Sequence, residues 1–232
     1  MKSFKYLIFI FISAFAVSCA YDNYDEPESQ LTGKIVYQGE PLGLSVGEVS
    51  FQLYEPGWQL KAPINVTIAA DGTYSALLFD ATYKLIIPQN QGPFRNIPVN
   101  GSDTIVVDLR GKTVKDIEVM PYYMVRNPQF SASGRKITAT FKAEKIITDA
   151  NARSIERVNL YVNKTTLVDN RNEYMIKEAS LDGSVITNPD NITLSLDVPD
   201  IIPAQNYVFA RVGIKIAGVE KMIFSPIQKI NL

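Results

Sequence analysis

The feature that most constrains this chain is a two-residue alternation of apolar and polar side chains, which returns in short runs from residue 31 onward. The clearest examples are Ile192, Leu194, Leu196 and Val198, and Val49, Phe51 and Leu53. This period places the apolar side chains on one face of a strand. No stretch shows a convincing helical period, and Gly, Pro, Asn and Asp interrupt the runs at short intervals. The sequence therefore predicts an all-β protein.

The length and the strand spacing predict two tandem antiparallel β-sandwiches. Pro121 cannot donate to a strand ladder and tends to end a strand, so we place the boundary there. The first sandwich is predicted over residues 31–121, with a tight Asp71-Gly72 hairpin connection. The second, over residues 122–232, has seven predicted strands and no cysteine pair, which resembles an immunoglobulin or fibronectin type III-like sandwich.

Residues 1–18 have the layout of a bacterial export signal. Lys2 and Lys5 precede an uncharged apolar run over residues 6–17, and small residues lead into Cys19. The run is too short to span a bilayer comfortably. A cysteine at this position resembles the lipidated first residue of a bacterial lipoprotein, and Cys19 is the sole cysteine of the chain. We therefore predict lipidation at Cys19; an ordinary signal peptide is the alternative.

Residues 19–30 form the lipidated cysteine and an acidic tether. The segment carries Asp22, Asp25, Glu26 and Glu28 but no basic residue, and its low hydrophobicity favours a flexible linker. Acidic residues soon after a lipidated cysteine resemble the surface-export signal of Bacteroidetes lipoproteins. We therefore expect an outer-membrane protein displayed at the cell surface. A lipoprotein that faces the periplasm is the alternative.

Composition excludes several classes of function. The chain has no histidine, which excludes Ser-His-Asp and Cys-His catalysis and histidine-ligated metals. Without the signal, 21 of the 23 basic residues remain against 24 acidic ones, so no excess of positive charge predicts nucleic-acid binding. We predict no catalytic residues, no metal and no cofactor. Short groups of hard oxygens, Asp149 with Asn151 and residues 188–191, are interpreted as turn residues rather than calcium ligands.

Carboxylates would have to carry any hydrolysis of sugars, because glycosidases need two acids that flank the scissile bond. The candidates lie near predicted turns of the first sandwich: Glu40, Glu48, Glu55, Asp71 and Asp80. Nothing in their spacing selects a pair, and Asp is common in turns for backbone reasons. A carboxylate-based glycosidase is therefore the last of three functional hypotheses.

Sugar binding would need an exposed aromatic ring beside hydrogen-bonding groups. Trp58 follows Pro56-Gly57, where a loop is expected, and Tyr54 lies just before it. Phe94 is a second predicted loop aromatic, with Arg95 as a neighbouring donor. These four residues are the candidate ligand-binding set. The alternative is that the rings cap the sandwich or pack at the domain boundary.

A short Asp-Thr-aliphatic triplet over residues 103–105 resembles a Bacteroidetes O-glycosylation pattern. The acceptor would be Thr104. Triplets of this kind also occur by chance, so the modification is a hypothesis that stands on the pattern alone.

Longer segments resemble known families. TGKIVYQGEPL, VSFQLYEPGW and IAADGTYSALLFDATYKLII are similar to the carboxypeptidase-regulatory, transthyretin-like β-sandwich. With GPFRN, they also resemble a two-domain Bacteroidetes lipoprotein family known as domain of unknown function 3823. The resemblance implies a non-catalytic accessory protein of a SusC/SusD-type polysaccharide importer, which binds or presents glycan. A structural spacer or protein-interaction module is the alternative.

Overall fold

The computed structural model describes residues 25–57 and 62–232. Within these ranges the regular structure is β-strand, apart from two single 3-10 turns at Asn172–Tyr174 and Gly183–Val185. The prediction of an all-β protein built from two sandwiches is confirmed. Over the same residues, no helix is long and apolar enough to cross a membrane.

Ten strands build the first sandwich. They are β1 (Ser29–Tyr37), β2 (Glu40–Pro41), β3 (Val49–Tyr54), β4 (Ile64–Ile68), β5 (Thr73–Leu78), β6 (Ala81–Ile86), β7 (Phe94–Asn96), β8 (Thr104–Leu109), β9 (Lys112–Val114) and β10 (Ile117–Pro121). One sheet has the order β4-β3-β6-β8, and the other is built around β1, which pairs with β2, β5, β9 and β10. The strand β7 extends this second sheet by pairing with β10.

The first sandwich differs from a purely antiparallel one in two respects. The central strand β1 runs parallel to both β9 and β10, so its sheet is mixed. The turn at Asp71-Gly72 exists, but it does not close the predicted hairpin, because β4 pairs with β3 and β5 pairs with β1. The turn instead carries the chain from one sheet to the other. Gly72 has φ +81°, and a side chain there would approach the Leu42 carbonyl oxygen to 2.6 Å.

Eight strands build the second sandwich. They are β11 (Tyr123–Ser133), β12 (Lys136–Lys145), β13 (Ile155–Asn163), β14 (Lys177–Asp182), β15 (Ile192–Asp197), β16 (Tyr207–Ile216), β17 (Ile223–Phe224) and β18 (Gln228–Asn231). One sheet has the order β11-β12-β15, and β16 pairs with β13, β17 and β18 in the other. The long strand β11 lacks a regular alternation, because a bulge between Arg126 and Gln129 interrupts its register.

The two sandwiches share one continuous core. A single cluster of buried apolar side chains runs from Leu31 in β1 to Ile230 in β18. A smaller cluster, Tyr161, Val168, Met222 and Phe224, covers the opposite face of β13 and β16. The larger sheet of the second sandwich is therefore covered on both faces. The smaller sheet covers one face, and loops that also contact the first sandwich cover the other.

Candidate functional site

The two sandwiches meet at a buried contact that we call the clamp, formed by residues 42–48 against Asp169, Arg171 and Arg211. The first-domain segment forms an isolated β-bridge with the second sandwich, in which the Phe224 N–H donates to the Gly43 carbonyl at 3.0 Å. Gly43 is required there, because a side chain would overlap the Phe224 carbonyl oxygen. The clamp therefore begins with a close approach of two backbones.

Arg211 lies at the centre of the clamp and is fully buried. Its guanidinium stacks on the Phe224 ring at 4.1 Å and donates to carbonyl oxygens of Ser225, Val168 and Leu44, at 3.1–3.2 Å. Leu44 belongs to the first domain, so this hydrogen bond crosses the boundary. Burial lowers the pKa of Arg211 to about 9, an effect that the nearby Asp169 carboxylate opposes.

Asp169 and Arg171 hold the same segment by its backbone and its charge. The buried Asp169 carboxylate accepts the Val46 N–H at 3.0 Å and pairs with Arg171 at 2.7 Å. Arg171 in turn donates to the Val46 carbonyl and lies 3.6 Å from Glu48. Glu48 also accepts from Lys221 at 3.1 Å. Each charged side chain of the clamp therefore forms hydrogen bonds or ion pairs with other residues of the protein.

A second, open contact lies at the same boundary, where β7 brings Arg95 beside the second domain. Gly92 leaves the space into which the Phe94 ring folds, since any side chain there would overlap that ring. The Tyr122 N–H donates to the Pro93 carbonyl at 3.1 Å, which ties the segment to the boundary. The Arg95 side chain points out of this short strand and lies 3.9 Å from Asp149. The Arg95 side chain is 47% exposed and that of Asp149 is 63% exposed.

Two adjoining hollows flank Arg95, and we call them together the joint cleft. The first has a volume of about 340 Å³ and is lined by polar groups and aromatic rings: Gln89, Asn90, Phe94, Arg95, Asn96, Pro98, Asp103 and Tyr122. The second, of about 370 Å³, is lined by Arg95, Asn96, Ile97, Pro98, Met120, Ile146, Ile147, Thr148 and Asp149. The joint cleft thus offers amides, carboxylates and one guanidinium beside apolar surface.

Local hydrogen bonds fix two of the polar groups of the joint cleft. The Asn96 amide donates to the Ile87 carbonyl at 2.7 Å, which holds the side chain between the two hollows. Asp149 accepts the Asn151 N–H at 2.8 Å in a turn. This bond, together with the Asn151 side chain and the Arg95 charge, lowers the pKa of Asp149, so its carboxylate is ionised at neutral pH.

The structure separates the four predicted ligand-binding residues. Arg95 lines the joint cleft, but Phe94 is 5% exposed and lies in β7 rather than in a loop, so its ring offers no open face for stacking. Tyr54 is half-buried at the end of β3 and donates to Gln52 at 2.9 Å. Because β3 and β6 are antiparallel, the end of β3 that carries Tyr54 lies toward the start of β6. Arg95 follows the end of β6, so Tyr54 and Arg95 lie toward opposite ends of this sheet. Trp58 lies outside the described residues, as does Cys19, the predicted lipidation site.

Several residues of the joint cleft were not in the predicted set. Asn96 appeared only within the GPFRN motif, Asp149 only as a turn residue, and Tyr122 only beside the domain boundary. Thr104, the predicted O-glycosylation site, is half-buried at the start of β8, while the neighbouring Asp103 is exposed and lines the first hollow. The modification of Thr104 stays a prediction.

The acidic residues considered for hydrolysis are dispersed. Glu40 pairs with Arg126, and Glu48 belongs to the clamp. Asp71 accepts from Thr73, and Asp80 accepts from Ser29 and Gly111 at the other end of the first sandwich. Among the described residues, no group of three acidic, cysteine or histidine side chains is arranged to hold a metal ion.

These features define a two-domain β-sandwich protein with a buried contact at the domain boundary and an open polar cleft beside it. The N-terminal domain of a protein of unknown function, DUF3823, matches residues 29–120, and the domain of unknown function DUF3823_C matches residues 123–229. The chain belongs to the DUF3823 family.

Solved structures agree with this assignment. A DUF3823 family protein from Bacteroides ovatus is 35% identical with a TM-score of 0.76, and the match covers 88% of this chain and 99% of that one. A family member from Parabacteroides merdae is 34% identical with a TM-score of 0.76, over 89% and 100% of the two chains. A proposed carbohydrate-binding protein from Bacteroides uniformis shares the fold at 22% identity and a TM-score of 0.69, over 89% and 100%. No curated protein matches the chain significantly.

Proposed function

We propose that this protein is a non-catalytic, lipid-anchored protein of the outer membrane that binds polysaccharide in the joint cleft. The observation that carries the proposal is the grouping of Asn96, Asp103, Asp149 and Arg95 around two connected hollows. Binding sites combine apolar walls with a few placed polar groups that fix the orientation of a ligand. Amides and carboxylates supply both donors and acceptors, which the many hydroxyl groups of a sugar require.

A structural neighbour supports the same function. The Bacteroides uniformis protein of the same fold is described as a proposed carbohydrate-binding protein. In this chain, Cys19 and the acidic tether support display at the cell surface, where a glycan would be met first. The proposed partners are the proteins of a SusC/SusD-type importer, to which the bound polysaccharide would be presented.

A panel of polysaccharides tests glycan binding directly. Wild-type protein should retain at least one member of the panel in isothermal titration or affinity electrophoresis, and it should release no reducing sugar from any of them. Arg95→Ala should weaken binding at least tenfold. Arg110→Ala is the matched control, because Arg110 also forms an exposed ion pair with an aspartate, Asp108 at 3.0 Å, but lies far from the joint cleft. Equal affinity of both variants would contradict the proposal.

The location is tested separately in cells. Labelled palmitate should be incorporated into the wild-type protein, and Cys19→Ala should abolish the label. Protease added to intact cells should degrade the wild-type protein. Survival under conditions that cut a known surface marker would instead indicate a lipoprotein that faces the periplasm.

A structural spacer is the second candidate function, and the clamp is the observation that favours it. A buried ionic contact and a shared core hold the two domains as one body, which suits a protein that keeps partners at a fixed distance. This function predicts no binding to any glycan of the panel. It also predicts that the protein co-purifies with SusC/SusD-type importer proteins, and that Arg211→Ala weakens this association.

A further inference from the structure

The two hollows of the joint cleft differ in chemistry although they share one wall. Arg95, Asn96 and Pro98 line both of them and form the ridge between them. The first hollow is lined on its outer side by the amides of Gln89 and Asn90. The second is lined mainly by apolar side chains, those of Ile97, Met120, Ile146 and Ile147. One hollow therefore suits the hydroxyl-bearing edge of a sugar ring, and the other suits its apolar face.

The charges of the joint cleft are unbalanced. Each hollow has one carboxylate, Asp103 in the first and Asp149 in the second, and Arg95 lies between them. These three are the charged residues that line the cleft within the described part of the chain, so its formal charge is negative at neutral pH. Arg95 already lies within 3.9 Å of Asp149, which neutralises part of its charge. A ligand that carries carboxylates or sulfates would meet repulsion at close range.

Resting on the proposed function, we propose that the ligand is an uncharged glycan chain that crosses Arg95 and occupies both hollows. A single sugar would fill only one hollow and leave the other solvated. A chain of at least two or three sugars makes both sets of contacts at once, and the second set costs little further entropy because the units are linked. Arg95 and Asn96, which line both hollows, then contact the glycosidic linkage between adjacent sugars.

Chain length is the first experimental variable. Neutral oligosaccharides of one to six units, prepared from the polysaccharide that binds in the panel, are titrated against the wild-type protein. Affinity should rise at least tenfold between one and three units and then level off. If a monosaccharide binds as tightly as the trisaccharide, the ligand does not span the two hollows and the inference is wrong.

Charge is the second variable, and a double substitution reverses it. In the Asp103→Asn/Asp149→Asn protein, Arg95 remains as the single charge, while the amide oxygen introduced by the second substitution can still accept the Asn151 N–H. Uronate-containing chains should bind this variant at least tenfold more tightly than they bind the wild type, and neutral chains should show no such gain. The control Asp108→Asn/Asp200→Asn removes two exposed carboxylates outside the cleft and should change neither.

The outcomes separate this inference from the proposed function. Tighter binding of uronate chains than of neutral chains by the wild type would overturn the charge argument but leave glycan binding intact. No gain for uronate chains in the double variant would also overturn it. Failure of every glycan to bind would contradict the proposed function itself, and the inference with it.

Discussion

The clamp and the joint cleft are two arginine–aspartate contacts at one domain boundary, and they differ in nearly every physical respect. In the clamp, Asp169 is fully buried and its partner Arg171 also bonds to the backbone of the first domain. In the joint cleft, Arg95 and Asp149 are about half exposed and 3.9 Å apart. Exposed ion pairs at such distances contribute little to stability, typically below about 1 kcal/mol.

This difference indicates which groups are available to a ligand. The polar groups of the clamp are almost all bonded within the protein, and breaking those bonds would expose unpaired atoms in a buried place. Asp103 and the exposed part of Arg95 are free to exchange water for sugar hydroxyls. A boundary that is rigid on one side can therefore present an open cleft of fixed shape on the other, which reduces the entropy cost of binding.

The largest expected effect is the loss of stability on breaking the clamp. Arg211→Ala removes the guanidinium that donates to three buried carbonyl oxygens, and it leaves a cavity beside the Phe224 ring. We expect a cost of about 3–5 kcal/mol in the free energy of unfolding, measured by urea denaturation. Arg95→Ala is the comparison and should stay within about 0.5 kcal/mol of the wild type. Similar losses in both variants would erase the distinction between the two contacts.

A smaller loss is expected at the start of the clamp. Gly43→Ala places a methyl group against the Phe224 carbonyl, so the two backbones must move apart. Overpacking of this kind costs about 1–3 kcal/mol. Ser45→Ala, two residues further on, is the control, because the buried Ser45 hydroxyl has no hydrogen-bond partner among the described residues. Its removal should be neutral or slightly stabilising, and thermal unfolding distinguishes the two variants.

The smallest effect at neutral pH is expected for Tyr161→Phe, since the Tyr161 hydroxyl makes a weak hydrogen bond to the Met222 sulfur, at 3.5 Å, beneath the clamp. Burial raises the pKa of Tyr161 above its usual value. The neutral phenol is therefore favoured in the folded state, and this stabilisation is complete below the unfolded pKa of about 10 and is lost as pH rises further. Urea unfolding at pH 8 and pH 11 should show a smaller alkaline loss in Tyr161→Phe than in the wild type. An equal loss in both proteins would show that Tyr161 does not titrate during unfolding.

The regular strands were predictable because their alternation reports burial on one face. In β15 the buried and exposed residues alternate without exception, as the sequence indicated. The clamp was not predictable in this way. Arg211 occupies an outward position of β16, which normally faces water, and it is buried because Phe224, Val168 and Leu44 cover it. Leu44 is 167 residues away in the chain. Contacts between backbone carbonyls and a distant side chain leave no periodic signal.

The candidate site was predicted only in part, because it too depends on contacts between residues that are distant in the chain. The polar residues after Phe94 suggested a recognition loop, and Arg95 does line the joint cleft. The prediction that Phe94 lies in a loop was wrong, because Phe94 begins β7 and Gly92 leaves the space into which its ring folds. Asp149 came from the other domain, so only the fold could bring it to Arg95.

Trp58, which lies outside the described residues, is the predicted sugar platform and the alternative to the joint cleft. If its ring stacks on sugar, Trp58→Ala should weaken glycan binding by roughly 1–3 kcal/mol, by analogy with base–aromatic stacking, with little change in melting temperature. If the ring instead packs in the core, the same change should cost about 3–5 kcal/mol of stability. Binding and melting should be measured on the same preparation.

Hydrogen exchange with and without the glycan that binds in the panel tests the central claim most directly, because it reports where the ligand lies without any mutation. The joint cleft predicts slower exchange of backbone amides in residues 89–103 and 146–149, with the clamp segment 42–48 unchanged. Slower exchange confined to residues 55–63, around Trp58, would place the ligand outside the joint cleft and contradict the account.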